Sequence, residues 1–431
     1  MLPNISPQQK TAVTLLSIGT FLEFFDLWLY LHMSVKINDL FFPPSFKHSW
    51  LLSNFALCSA FLFRPIGAII FGWIGDTLGR KATILITTSM MAMSCAVIAI
   101  LPTYEYIGVL APIILTICRG VQGIASLVEV AGARLYLLES SKPPTQFFLI
   151  FLVSASATFG RFAAVGLASL IELLDLSWRI AFMFGVVVAI VGTVARRALK
   201  EASNFSNARK RLISYMSDSS KKVLEKSPLL RRPINKSSLL FMTLASMAPN
   251  TCLFFLYNYS ADFLRSKLGL TPAEVLNHNS ILGLGEVLSD FALGYLVLKF
   301  HPFRIIITRS VLHLVVIFAA PFVLSNAQSP VSILILQTLA MLFAVDVEPG
   351  GVAIFYTKFP ILKRFRAVGM SFAMAGAISY TLCAFCMKPL TDRLGLCGMW
   401  VILIPVWINF NIAIFYFAKL DKKTRNNEDI M

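Results

Sequence analysis

Charge is scarce in this chain. Only 14% of its 431 residues are Asp, Glu, Lys or Arg, and 57% are hydrophobic. Soluble domains carry about 25% charged residues, so a soluble globular protein is excluded. Histidine is scarcer, at five residues, and no H-E-x-x-H pair occurs, which removes the commonest zinc hydrolase arrangement. Cysteine is limited to seven scattered residues, an odd number that gives no disulfide framework. Cys383 and Cys386 have C-x-x-C spacing but fall inside an apolar run, where a hydrated redox or metal site has no place. The chain also lacks a G-x-x-x-x-G-K-[ST] phosphate loop and a G-x-S-x-G nucleophile turn, which argues against a nucleotide-driven pump and against an enzyme. No metal and no cofactor are expected.

What the sequence has is apolar length. Its mean hydropathy is +0.74. A membrane-crossing helix takes roughly 20 apolar residues. Twelve such stretches are centred in 12–35, 50–73, 82–101, 107–136, 146–172, 178–198, 238–261, 276–299, 304–325, 331–357, 366–390 and 397–418. The predicted fold is an all-α polytopic membrane protein, with twelve transmembrane helices in two six-helix bundles. Residues 1–200 form the first bundle, 201–236 a basic linker, and 237–431 the second bundle with a short tail. The first run holds Glu23 and Asp26 and no small-residue cleavage site, so it is expected to stay as a helix rather than act as a signal peptide.

Net charge is +16, and its placement decides its meaning. The stretch from Arg196 to Lys236 holds twelve Lys or Arg against three acids. Further basic clusters are Arg80-Lys81, Lys299 with Arg304, Lys363-Arg364 with Arg366, and Lys419 to Arg425. All lie on one side of a twelve-span chain, which the positive-inside rule makes the cytoplasm, together with both termini. The charge therefore orients the chain and attracts anionic lipid. A nucleic-acid partner is not expected.

One loop is too specific for a plain turn. Gly72-Trp73-Ile74-Gly75-Asp76-Thr77-Leu78-Gly79-Arg80-Lys81 lies between the second and third runs. It combines small residues for close helix packing, one acid and a basic cluster. It resembles the G-x-L-x-D-x-x-G-R-K signature of the major facilitator superfamily. The resemblance implies that Gly72, Gly75, Asp76, Gly79, Arg80 and Lys81 gate the cytoplasmic side. A trace of a repeat survives at Gly294-Tyr295-Leu296-Val297-Leu298-Lys299 with Arg304. Leu298 stands there in place of the acid, so no symmetric lock is expected.

Other segments sharpen the likeness. They are Gly19 to Tyr30, Phe63-Arg64-Pro65, Arg119-Gly120-Val121-Gln122-Gly123, Glu129 to Ala133, Ser177-Trp178-Arg179 and Phe359-Pro360 through Gly369. Together they are similar to the metabolite:proton symporter branch, which includes the proline/betaine, ketoglutarate, citrate and shikimate carriers. That resemblance implies secondary transport by alternating access, importing a small-molecule metabolite with protons across a bacterial inner membrane, by a protein working as a monomer. An organic-acid symporter, an efflux carrier and a non-transporting sensor are the alternatives.

An ionisable side chain at the bilayer centre costs at least ~2.5–3.5 kcal/mol, which makes each a functional candidate. Glu23, Asp26 and Tyr30 share one helical face by their three- and four-residue spacing. Structural bonds to neighbouring helices are the alternative for the two acids. Arg64, Arg119, Glu129 and Arg161 are the other charges expected at depth in the first half. Arg119 and Glu129 are about 15 Å apart along a helix and need separate partners. By analogy with proton-coupled sugar carriers, Asp26 is the expected partner of Arg119. The proton-coupling set is thus Asp26, Glu23, Arg119 and Glu129. The substrate-binding set is Tyr30, Arg64, Arg161, Tyr257 and Tyr259, the two last offering aromatic faces to a cation. Arg161 should meet an acid or an anionic group of the substrate. The second half carries mainly acids (Asp262, Glu286, Asp290, Asp346 and Glu348). In a helix, Asp346 and Glu348 lie on different faces, so at most one should face a given cavity. Basic residues in the first half and acids in the second slightly favour a zwitterion over a dicarboxylate.

Overall fold

The computed structural model describes residues 6–43, 48–77, 80–126, 128–141, 145–197, 233–348 and 351–428. Most of the basic linker, residues 198–232, and Gly79 of the loop signature lie outside the described residues, as do the side chains of Asp76, Arg80, Lys81 and Glu129. No strand occurs among the described residues.

Among the described residues, twelve helical segments follow the predicted spans. In the first half they are α1 (Pro7–Phe41), α2 (Ser49–Leu62, resumed as Arg64–Thr77), α3 (Arg80–Ile100), α4 (Leu110–Ala125, resumed as Val128–Ser140), α5 (Thr145–Leu173) and α6 (Arg179–Arg197). In the second half, α7 runs Lys236–Leu253, passes through a π-helical stretch Phe254–Tyr259 and ends as Ser260–Leu268. It is followed by α8 (Pro272–Lys299), α9 (Pro302–Ser325) and α10 (Pro330–Leu342, resumed as Gly351–Thr357). α11 runs Ile361–Leu382, π-helical Cys383–Met387 and Lys388–Leu394, and α12 spans Trp400–Glu428. Among the described residues, eight helices are long and apolar enough to cross a membrane, and α3, α4 and α10 supply shorter apolar segments.

Local sequence explains where several of these begin. Ser6 accepts from the Gln9 N–H while the Gln9 side chain returns the bond, and Pro7 occupies the first turn of α1. Thr271, Pro272 and Glu274 repeat that arrangement at α8. Each capping box satisfies two backbone donors that a helix start leaves open, and proline there loses nothing.

Packing follows small residues. α1 lies along α5, and α2 crosses α4. A side chain at Gly160 would strike the Phe21 carbonyl, and one at Gly123 the Ala60 carbonyl. Without a hydrophobic drive between helices in lipid, such close approach supplies the dispersion energy of association. The halves meet mainly where α5 packs on α8 and α2 on α11. Outside, Trp73, Met93, Val315 and Phe415 are each more than 60% exposed. Hydrocarbon solvates such a surface at no cost; water would not.

Candidate functional site

The breaks in the helices converge on one cavity of about 200 Å³ between the halves. Pro65 lacks the N–H that would continue the ladder, and at the interruption of α2 Arg64 turns into this space. Its Nε donates to the Ser126 hydroxyl at 3.2 Å, and Ser126 sits at the interruption of α4. Pro249 of α7 and the gap in α10 also reach the cavity. Irregular backbone at membrane depth is tolerated only where it is buried in protein or lines a wet space.

The walls are charged. Arg64, Arg134 and Arg161 line it from the first half, with Arg309 from α9. Glu23 lines it from α1, facing Glu286, Asp290, Asp346 and Glu348 of the second half. Arg161 Nη2 lies 2.5 Å from Glu286 Oε1, bridging α5 to α8. It also donates to the Thr158 hydroxyl at 2.8 Å. Thr158 in turn donates to Asp290 Oδ2 at 2.5 Å. Tyr257 Oη donates to Glu286 Oε2 at 2.9 Å. Arg134 and Glu348 form a second ion pair, bridging α4 to the α10 gap. Arg309 donates to the carbonyls of Leu342 and Glu348, both at 3.1 Å.

Aromatic rings complete the wall. The Phe61 and Tyr380 rings stack at 3.5 Å across α2 and α11, and the Arg64 guanidinium lies 4.3 Å from the Phe61 centroid. Trp28 and His32 of α1 meet Tyr257 edge-on, at 5.6 Å and 5.4 Å. Farther toward the end of α1, Asp39 pairs with Arg265 at 3.3 Å. At the basic end of the bundle, a side chain at Gly72 would lie 3.8 Å from Cγ of Arg366, and one at Gly132 would lie 3.5 Å from Phe365. The halves therefore touch on both sides of the cavity.

Apart from Gly72 and Tyr259, the sequence-predicted residues divide into three groups. Glu23, Arg64 and Arg161 line the cavity, and Tyr257 is bonded to it through Glu286. Asp26, Tyr30 and Arg119 lie instead inside the first half. Arg119 is fully buried, its Nη1 donating to Gln122 Oε1 at 2.8 Å and its guanidinium 4.0 Å from the Tyr30 centroid. Gln122 reaches Cys95 Sγ at 3.3 Å. A side chain at Gly185 would meet Asp26 Oδ1 at 3.1 Å and Cys95 Sγ at 3.6 Å. Asp26 and Arg119 thus border the same small region around Cys95. Tyr259 stacks on Phe255 at 5.9 Å and is not among the cavity residues. The Asp76, Arg80, Lys81 and Glu129 side chains belong to the third group, outside the described residues.

One expectation needs correction. Asp346 and Glu348 both line the cavity, because Phe343 to Glu348 is not helical and the two-residue spacing loses its helical meaning. Asp346 Oδ1 accepts the Glu348 N–H at 3.1 Å, which holds this irregular turn. The expected bias of charge is present in the lining, with three arginines and Glu23 from the first half and four acids and Arg309 from the second. Arg134 and Arg309 were missed, although each is a charge inside an apolar run and that signal was readable. The Phe61–Tyr380 stack left no mark in the sequence. Among the described residues, no group of three His, Cys, Asp or Glu is placed to hold a metal ion.

Comparison with known proteins places this architecture. A putative metabolite transport protein of Haemophilus influenzae is 26% identical over 445 residues, covering 96% of this chain and 95% of its own. The shikimate transporter of Escherichia coli is 28% identical, covering 68% of each. A putative proline/betaine transporter of Staphylococcus aureus is 34% identical over 207 residues, and there the chain spans 44% of the relative's length. Among solved structures, a partially occluded inward-open xylose transporter from E. coli matches with TM-score 0.75 at 14% identity, covering 96% of this chain and 98% of its own. That likeness shows the fold of two six-helix bundles. The family model described as Major Facilitator Superfamily matches residues 16–376, and with that coverage the chain, a multi-pass membrane protein, belongs to this superfamily of transporters.

Proposed function

We propose that the protein is a proton-coupled importer of a small zwitterionic metabolite, such as an amino acid or betaine. The observation that carries this is the cavity between the halves, walled by arginines and carboxylates with stacked aromatic rings beside them. Its volume of about 200 Å³ is below the range of roughly 300–1,000 Å³ that holds drug-sized ligands. A solute with both charges finds a guanidinium for its carboxylate and an acid or ring face for its cation. The relatives' names include proline/betaine, shikimate and citrate-proton carriers. An organic acid is the second reading. Arg64 and Arg309 favour it: both line the cavity, and they donate to the Ser126 hydroxyl and to backbone carbonyls.

The test is uptake by proteoliposomes under an imposed pH gradient, with a thermal-shift panel of solutes to choose the class. Binding to the folded state raises apparent stability by about 2.7 kcal/mol at one hundred times Kd. Zwitterions should stabilise the protein and dicarboxylates should not; the reverse pattern assigns the organic acid. Uptake indifferent to the pH gradient removes proton coupling.

Asp26, Glu23, Arg119 and Glu129 belong to proton coupling in this reading, and Tyr30, Arg64, Arg161, Tyr257 and Tyr259 to substrate binding. The bundles are residues 1–200 and 237–431, joined by the 201–236 linker, in an inner membrane with both termini cytoplasmic. The loop Gly72 to Lys81 gates the cytoplasmic side, supported by the approach of Gly72 to Arg366 of α11. Asp76→Asn should slow transport severalfold without lowering the amount of protein in the membrane. Normal rates in a well-expressed variant count against the gate.

A further inference from the structure

We propose that Asp290 on α8 is a proton-binding site of its own, and that its occupancy sets the strength of the Arg161–Glu286 bridge between the halves. Five acids line the cavity against four arginines, leaving one negative charge in excess when all are ionised. An uncompensated charge at membrane depth is costly, and a bound proton removes it without needing space. Glu286 holds Arg161 at 2.5 Å, and Glu348 pairs with Arg134. Of Glu23, Asp290 and Asp346, Asp290 is the acid joined to the Arg161–Glu286 bridge, one turn from Glu286 and bonded to the Thr158 hydroxyl that Arg161 also reaches. Asp290 has a hydroxyl, Thr158, at 2.5 Å, but no cation within 4 Å among the described residues.

The surround of Asp290 can be followed element by element. On its own helix Glu286 stands one turn away. α5 presents Thr158 and Arg161, α7 presents Tyr257 through Glu286, and α9 presents Arg309. The α10 gap adds Asp346 and Glu348, and α1, which also touches α8, adds Glu23 to the same cavity. Ser154, one turn before Thr158, also lines the cavity at 8% exposure, and its hydroxyl has no partner among the described residues. A water bringing or removing the proton would dock there. A metal cation is disfavoured because the Arg161 guanidinium already occupies the space between Glu286 and Thr158.

The consequence follows from charge alone. With a proton on one Asp290 oxygen, the carboxyl is neutral and Arg161 belongs to Glu286. When the proton leaves to water, Arg161 of α5 faces two carboxylates on α8 in place of one, and the Thr158–Asp290 bond becomes charge-assisted. The α5–α8 contact then tightens, and binding of the proton loosens it. The proposal rests on the proton-driven reading, and the following test separates the two.

Trp28 is a built-in reporter, since its ring lies 5.7 Å from the Arg161 guanidinium and 5.6 Å from the Tyr257 ring. Tryptophan fluorescence of the purified full chain, titrated with pH in potassium and in sodium buffers without substrate, reads the site directly. The wild type should show a one-proton transition that disappears in Trp28→Phe and in Asp290→Asn but persists in Asp26→Asn. If Asp290→Asn does not fold, Thr158→Val decides. It removes the hydroxyl on Asp290 and should displace the midpoint by about one pH unit. A transition unchanged in Asp290→Asn or Thr158→Val, no transition in the wild type, or one driven by sodium in place of pH overturns the proposal. None of these outcomes depends on transport, whereas uptake indifferent to a pH gradient overturns the proton-driven reading alone.

Discussion

Arg161→Ala is expected to cost roughly 3–5 kcal/mol of stability, because it leaves Glu286 buried without its cation. The exposure of the pair decides that size. The Arg161 and Glu286 side chains are 12% and 9% exposed, far from the solvated pairs worth about 0–1 kcal/mol. The guanidinium also lies 5.5 Å and 5.7 Å from the Phe24 and Trp28 rings, contacts that alanine removes as well. Glu286→Gln should be milder, since an amide oxygen still accepts from Tyr257. Exchanging the two, Arg161→Glu with Glu286→Arg, should recover part of the loss, because the opposite charges remain across α5 and α8. Thermal unfolding in detergent, with the yield of monodisperse protein, measures all three. An alanine variant that unfolds at the normal temperature but no longer binds solute would show that the wild-type bridge contributes little to stability. Arg161 would then be a substrate ligand first.

Much of this arrangement was legible in the sequence for a physical reason. Hydrocarbon enforces helices of fixed minimum length and makes every buried charge conspicuous, so α1 to α12 and residues such as Glu23, Arg64 and Arg161 stand out from an apolar background. Their pairing is a different matter. Nothing in the spacing of Arg161 and Glu286, 125 residues apart, selects that partner over Asp290 or Glu348. The irregular stretches were hidden too. The π-helical turns Phe254–Tyr259 and Cys383–Met387 carry no residue that announces them. The gap in α10 is better signalled, since Pro349, Gly350 and Gly351 all oppose helix continuation. Reading Asp346 and Glu348 by helical periodicity ignored those three residues, and so placed on separate faces two acids that share one cavity.

Asp26→Asn should abolish accumulation of substrate while leaving exchange intact. Asp26 is 4% exposed, and the fully buried Arg119 borders the same region around Cys95. A carboxylate enclosed there is costly when charged, and an arginine brought close offsets that cost. A coupling group needs both conditions in alternation: distance from the arginine when it binds a proton, proximity when it releases one. Asparagine keeps the shape of the protonated form and cannot change charge, so the cycle loses its link to the proton gradient. The size of the effect follows from the gradient. One pH unit is worth about 1.36 kcal/mol per proton, enough for roughly tenfold accumulation at a stoichiometry of one. In proteoliposomes with that gradient, the variant should equilibrate substrate to an inside-to-outside ratio near one. Counterflow of labelled solute against unlabelled solute needs no net proton movement and should continue at a measurable rate. Retained counterflow also shows that the variant is folded and still binds substrate, which separates lost coupling from lost protein. If Asp26→Asn concentrates substrate as the wild type does, the essential carrier is another acid. Glu23 is then the next to replace, since it stands one turn away on α1 and lines the cavity itself.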